Sequence, residues 1–177
     1  MKREILLLPV GDVSLDVLEW LAEALPSVFD CGCKTTTALP RPDFTWDKTR
    51  EQYRAEAVLA RASAGCSTCA LAVADLDLYV PDLNFVFGLA QSGMARAIIA
   101  LPRLRQSYYG LAEDTTVFRE RVIKEAVHEL GHVFGLSHCD DSRCVMAFSN
   151  SLQDTDYKQY TFCRECKKRL QTELIEL

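Results

Sequence analysis

His128-Glu129-Leu130-Gly131-His132-Val133-Phe134-Gly135-Leu136-Ser137-His138 holds every histidine of this 177-residue chain. On a helix, residues four apart lie one above the other, so His128 and His132 can turn both imidazoles to one point. This is the H-E-x-x-H arrangement, in which two histidines on a helix bind zinc. Glu129 stands one step round, beside the metal, where a carboxylate can take a proton from a zinc-bound water. The helical context is present. Asp114 or Thr115 can cap a helix over about 116–134, and Phe118, Val122, Ile123, Ala126, Val127, Leu130 and Phe134 recur at helical spacing. No continuing helix returns residue 138 to the same point. Gly135 can adopt the left-handed conformation, end the helix and turn the chain, so that His138 closes a three-histidine site. Three protein ligands with one open position is the arrangement of catalytic zinc.

Four cysteines come next: Cys139, Cys144, Cys163 and Cys166. Cys-x4-Cys followed by Cys-x2-Cys is a four-thiolate zinc spacing, with buried thiols or two disulfides as the alternatives. His138 and Cys139 are neighbours whose side chains diverge, so they are expected to serve different metals. A closed four-cysteine site leaves no place for water. Its task would be mechanical, clamping the segment after His138 to a C-terminal helix at about 163–176. The expected cofactor is therefore zinc, two per chain, one catalytic and one structural. Cys31-x-Cys33 and Cys66-x-x-Cys69 are a weaker signal. Small buried residues or thiols are the favoured reading there, with a further metal site or a disulfide pair as the other.

Composition bounds the rest. The length suits one domain with a real core. Charged residues make up 25% and hydrophobic residues 49%, which argues against disorder. Lys and Arg total 20 against 25 Asp and Glu, a net charge of -5 that disfavours nucleic acid as a partner. Lys167-Lys168-Arg169, the one basic run after the last cysteines, reads as a solvated helix face. No apolar run approaches the roughly 20 residues of a membrane span. Met1 to Val10 is too short and too broken by Pro9 for a signal peptide and reads as a buried strand. Cys-x-x-Cys spacings without a signal suit a reducing, cytoplasmic setting. Nothing in the sequence specifies an oligomeric state.

Along the chain, residues 4–10 predict a strand and Ser14 can cap a helix over about 15–25, with Leu15, Val17, Leu18, Leu21, Ala22 and Leu25 as its apolar face. Residues 28–38 read as extended. Residues 47–64, charged and Ala-rich, predict a surface helix ended by Gly65. Cys69 to Ala74 is nearly all apolar and suits a central strand. Residues 84–90 and 95–101 read as two strands joined at Gln91-Ser92-Gly93. Alternating strands and helices imply an α/β layer fold with a small C-terminal subdomain.

His128 to His138 matches the metzincin pattern H-E-x-x-H-x-x-G-x-x-H. With Cys139, Cys144, Met146 and Cys163-x-x-Cys166 behind it, the chain closely resembles the archaemetzincins, a branch of the zinc metallopeptidases. Asp75 to Val80, Asn84 to Gly88 and Ser107 to Leu111 are also similar to that family, so the resemblance covers most of the chain. The spacer from Met146 to Cys163, sixteen residues, is one shorter than the family pattern. The resemblance implies a metzincin-like twisted mixed sheet with backing helices, an active-site helix, a small zinc-braced C-terminal subdomain and a Met-turn at Met146 beneath the zinc. It makes residues 1–177 one metallopeptidase domain, with an upper part to about 135 and the subdomain from about 136.

The function expected is zinc-dependent hydrolysis of peptide or protein substrates. Zinc lowers the pKa of a water to about 7. Glu129 takes its proton as general base and returns it to the leaving amine. An edge strand near 84–90 can hold an extended peptide by main-chain hydrogen bonds. Endopeptidase and aminopeptidase action are both compatible with these residues. The competing reading is a zinc-stabilised peptide-binding protein with little or no hydrolytic activity. The presence of Glu129 argues against it, because hydrolysis needs that carboxylate and zinc binding does not. A nucleic-acid module built on the four cysteines is the weakest reading, given the acidic balance.

Overall fold

The computed structural model describes residues 4–62 and 69–176. Strand β1 (Glu4–Val10) leads into helix α1 (Leu15–Phe29) and strand β2 (Gly32–Thr35). Two short strands, β3 (Trp46–Asp47) and β4 (Gln52–Arg54), precede helix α2 (Ala55–Leu59). Then come β5 (Cys69–Ala74), β6 (Leu78–Tyr79), β7 (Gly88–Gln91) and β8 (Arg96–Ala100). Helices α3 (Thr115–Val133), α4 (Leu152–Tyr157) and α5 (Arg164–Glu176) complete the order.

The main sheet runs β2-β1-β5-β8-β7. Its first four strands are parallel, and β7 pairs antiparallel with β8 at one edge. Parallel strands bury both faces, and every residue of β5 is buried. Alternation along the strands divides the core in two. Ile5, Leu7, Leu71, Val73, Ala97 and Ile99 pack on one face against α1 and α3. Leu8, Val10, Ala72, Ala74, Ile98 and Ala100 pack on the other with Val58 and Leu59 of α2.

Several sequence expectations are corrected here. Leu15 is 74% exposed and drops out of the expected face of α1. Ser14 makes no side-chain cap bond, and the helix continues through Pro26 to Phe29, ending at Asp30 in the left-handed conformation. The extension matters. It carries Phe29 to Phe134 (5.2 Å between ring centroids) and Phe162 (5.8 Å), joining α1 to the C-terminal part of the chain. The extended stretch expected over 28–38 narrows to β2. The helix expected over 47–64 is β3, a turn, β4 and only five residues of α2. Asp47 Oδ1 accepts the backbone N–H groups of Thr49 and Arg50, and Glu51 sits at φ 55. These local bonds compete with a helix, which alanine content alone does not reveal. Gly65 and Cys66 lie outside the described residues. Residues 84–87 make only a single bridge, Val86 to Leu78, before β7 begins at Gly88.

The segments that resemble archaemetzincins outside the histidines meet one another. Arg103 clamps Asp77 with two bonds of 2.6 and 2.8 Å, and Asp77 also accepts from Gln52 and the Tyr108 hydroxyl. Among the described residues no helix is long and apolar enough to cross a membrane. Lys167, Lys168 and Arg169 are exposed on α5, with Lys168 3.6 Å from Glu165, as a solvated face requires.

Candidate active site

α3 begins where Asp114 Oδ1 accepts the Val117 N–H at 3.0 Å. All of its expected apolar face is buried except Ile123, which is partly so. Its end is a Schellman turn. The Leu136 N–H reaches back to Gly131 O (2.9 Å) and the Gly135 N–H to His132 O (3.1 Å), with Gly135 at φ 86. The glycine therefore does what its place in the motif implies, and His138 returns to the helix face.

The three rings converge. Centroids lie 4.6 Å apart for His128 and His132, 4.8 Å for His132 and His138, and 5.3 Å for His128 and His138. One ring nitrogen from each lies within 4.8 Å of the other two. His128 Nδ1 stands 2.8 Å from Val145 O, and His132 Nδ1 2.7 Å from Leu136 O. A carbonyl oxygen only accepts, so both protons sit on Nδ1 and both Nε2 atoms present bare lone pairs. Those two Nε2 atoms are 3.1 Å apart. Two acceptors face to face repel one another unless a cation lies between them. Nitrogens about 2.0–2.1 Å from a tetrahedral zinc ion stand about 3.3 Å apart. Burial lowers the pKa of all three histidines, His128 to about 4, which keeps the rings in the neutral, ligating form at neutral pH. The residues present thus fit a zinc ion.

Glu129 is buried between α3 and β7. Burial, and then the nearby Glu125 carboxylate, raise its pKa well above the ordinary range, while Lys158 opposes them. Gly88 of β7 touches it. A methyl group there would stand 2.5 Å from Glu129 Cγ and 2.6 Å from Oε1. Gly88→Ala should therefore displace the carboxylate and lower peptide hydrolysis by roughly ten- to a hundredfold, as small misplacements of reacting groups do. Metal analysis should show zinc unchanged; unaltered kinetics would show that the carboxylate tolerates the shift.

Met146 lies directly beneath the histidine helix. It is fully buried, and a Cβ on Gly131, between the two helical histidines, would strike its sulfur. The turn is tied to the site on both sides. Val145 O holds His128, and Met146 O accepts the Cys139 N–H at 3.0 Å.

The four later cysteines form a second cluster, with all sulfurs within 4.8 Å of one another. Cys139 and Cys163 sulfurs are 3.8 Å apart, far beyond a disulfide bond and close to the roughly 3.8 Å between thiolates about 2.3 Å from a tetrahedral zinc. The Cys163 N–H points at Cys144 Sγ (3.3 Å) and the Cys166 N–H at Cys163 Sγ (3.5 Å), as suits negative sulfur. Burial pushes the Cys144 and Cys166 thiols up, and crowding by the other sulfurs pushes Cys166 further. Four sulfurs this close repel one another as thiolates unless a cation lies among them, so this cluster too fits zinc. The earlier cysteines behave differently. Cys31 and Cys69 are buried and Cys33 is half-buried in the core. Burial, with the neighbouring Cys31 sulfur, raises Cys33 to about 11 and Cys69 to about 12. Among the described residues they form no further metal-type cluster.

A cavity of about 680 Å3 opens on the histidines, walled by β7 on one side and by Phe148 and Lys158 on the other. Phe148 packs on His138, 5.0 Å between centroids. Sequence reasoning missed the lower wall. Glu125 and Lys158 form a buried pair, 3.0 Å apart and only 4% and 1% exposed. Arg121 meets Asp156 in two bonds of 2.6 and 2.7 Å, fixing α4 to α3. The one sequence signal for α4 is Ser151-x-x-Asp154, a capping box with aspartate where glutamate is usual.

The chain has counterparts among known proteins. The model of Peptidase family M54 matches residues 47–172. The archaemetzincin of Pyrococcus furiosus is 40% identical over 183 residues, covering 98% of this chain and 95% of the relative. The crystal structure of archaemetzincin from Archaeoglobus fulgidus, complexed with malonate, superposes with a TM-score of 0.82 at 38% identity, covering 94% of this chain and 99% of that one. A zinc-dependent peptidase from Methanocorpusculum labreanum gives a TM-score of 0.84 at 29% identity, covering 94% of this chain and 99% of its own. A likeness that runs nearly end to end, through both clusters, assigns the family: the chain belongs to peptidase family M54, the archaemetzincin metallopeptidases.

Proposed function

We propose that the chain is a zinc-dependent peptidase in which His128, His132 and His138 hold the catalytic zinc and Glu129 is the general base. Cys139, Cys144, Cys163 and Cys166 hold a second, structural zinc, and Met146 forms the turn beneath the first. The observation that carries this reading is the pair of bare Nε2 atoms on His128 and His132, 3.1 Å apart and joined by His138, with a buried carboxylate alongside. The zinc dependence of the Methanocorpusculum relative supports it.

Bound zinc would supply an acidified water and polarise the substrate carbonyl. The chain's own residues do the rest. The Val145 and Leu136 carbonyls fix the rotation of His128 and His132. Gly88 leaves room for the Glu129 carboxylate at the cavity wall, and Glu129 accepts the proton and hands it to the leaving amine. β7 is the last strand of its sheet and lines the cavity, so an extended peptide can add to its edge through backbone hydrogen bonds. On this reading residues 1–177 act as one domain, with the cleft between an upper part to about 135 and a C-terminal subdomain from about 136.

The test is cleavage of a diverse peptide library, read by mass spectrometry. Cleavage that a chelator abolishes and added zinc restores is the expected result. Zinc-loaded protein that binds peptides and cleaves none would instead establish the binding-only alternative.

A further inference from the structure

We propose that Lys158 anchors a carboxylate of the substrate, on the strength of a buried ammonium in the cavity wall that the protein pairs with Glu125 alone and leaves with donors to spare. This inference rests on the peptidase reading for its substrate class.

The backbone at Lys158 is fixed. Its N–H donates to Asp154 O (3.2 Å), the next residue's N–H donates to Arg143 O (2.9 Å), and Val145 N–H donates to Thr161 O (3.1 Å). The segment thus runs back along the turn beneath the histidines. From there the side chain enters the wall of the cavity, 1% exposed. Glu125 Oε1 is its ion-pair partner at 3.0 Å, and that same oxygen is shared with the Thr155 hydroxyl at 3.3 Å. An ammonium carries three donors. Among the described residues Glu125 is its one ion-pair partner, which leaves donors of the ammonium without an acceptor. Buried donors left unmet are costly and uncommon, and the residue that carries these lines the substrate cavity.

Charge narrows the ligand. Lys158 shares the cavity with His128, His132, His138 and Glu129. With a divalent ion on three neutral imidazoles, the wall would carry three positive charges against the two carboxylates Glu125 and Glu129. A substrate carboxylate balances that excess and accepts from Lys158 in a charge-assisted bond. It has two sources, the side chain of an Asp or Glu residue in the peptide or the peptide's free C-terminus.

Matched peptides separate the sources. One pair differs as Glu or Gln at each position in turn, and the other as free or amidated C-terminus. The zinc-loaded protein should favour one carboxylate member by about tenfold or more in kcat/KM, the size of a charge-assisted hydrogen bond. Lys158→Met alone strands the Glu125 charge, so the variant to use is Lys158→Met with Glu125→Gln. Its ratio should fall to about 1, with folding checked by circular dichroism and zinc analysis. The same pairs are also titrated calorimetrically into zinc-loaded Glu129→Gln protein, where no turnover is needed. If no peptide is cleaved, the peptidase reading fails and the affinity difference still decides on Lys158. Equal treatment of both pairs by the wild type in cleavage and in binding, or an unchanged ratio in the double variant, would overturn the proposal.

Discussion

Glu129→Gln should lower kcat/KM for every cleaved peptide by about a thousandfold while both zinc ions remain bound. The size follows from general acid–base catalysis, which contributes about 10²–10⁴ in rate. Glutamine keeps the shape that packs against Gly88, so the wall of the site is preserved. It removes only the ability to take a proton. Glu129 is not among the three converging ring nitrogens, so zinc content should not change. Steady-state kinetics beside metal analysis measure both. Turnover at the wild-type rate would remove Glu129 from the mechanism.

Cys166→Ser is expected to act on stability first. A serine hydroxyl is a poor replacement for a thiolate, and a structural zinc site contributes folding free energy directly. Loss of the ion should cost about 3 kcal/mol or more and lower the Tm by about 10 °C. Activity should fall too, although no residue of the catalytic cluster is changed. Cys139 adjoins His138, and Cys144 adjoins Val145, whose carbonyl orients His128. Cys139 is also bonded through its N–H to Met146 O. Releasing the cysteines therefore loosens two histidine positions at once. Thermal unfolding followed by circular dichroism, with peptide cleavage below the transition, is the check. A variant that keeps both its Tm and its activity would deny the cluster a bracing role.

Much of the site was legible because its chemistry is local. His128, His132 and Gly135 lie within two turns of one helix, and the glycine announces the reversal that brings His138 back. The cysteine spacing is nearly as explicit, and the structure brings all four sulfurs together. The central strand at Cys69–Ala74 was plain from its unbroken apolar run. What failed depended on side chains that bond their own backbone or on contacts distant in sequence. The helix expected over 47–64 gave way to a turn in which Asp47 Oδ1 accepts the Thr49 and Arg50 N–H groups. The helix expected over about 15–25 runs on through Pro26, and Phe29 at its end packs on Phe134 and Phe162. Glu125 and Lys158 are 33 positions apart, and no motif singles out either one. Only folding shows them to be a buried pair. Gly88 and Gly131 were quoted in the sequence without a role, and their importance is the space they leave for Glu129 and Met146.

The central claim is that the chain holds two zinc ions at separate sites, one open and one closed. It is tested most directly by counting zinc per chain in the wild type and in His128→Ala and Cys163→Ser. Two zinc ions are expected in the wild type and one in each variant, with a different ion lost from each. One zinc in the wild type, or two retained in either variant, would contradict it.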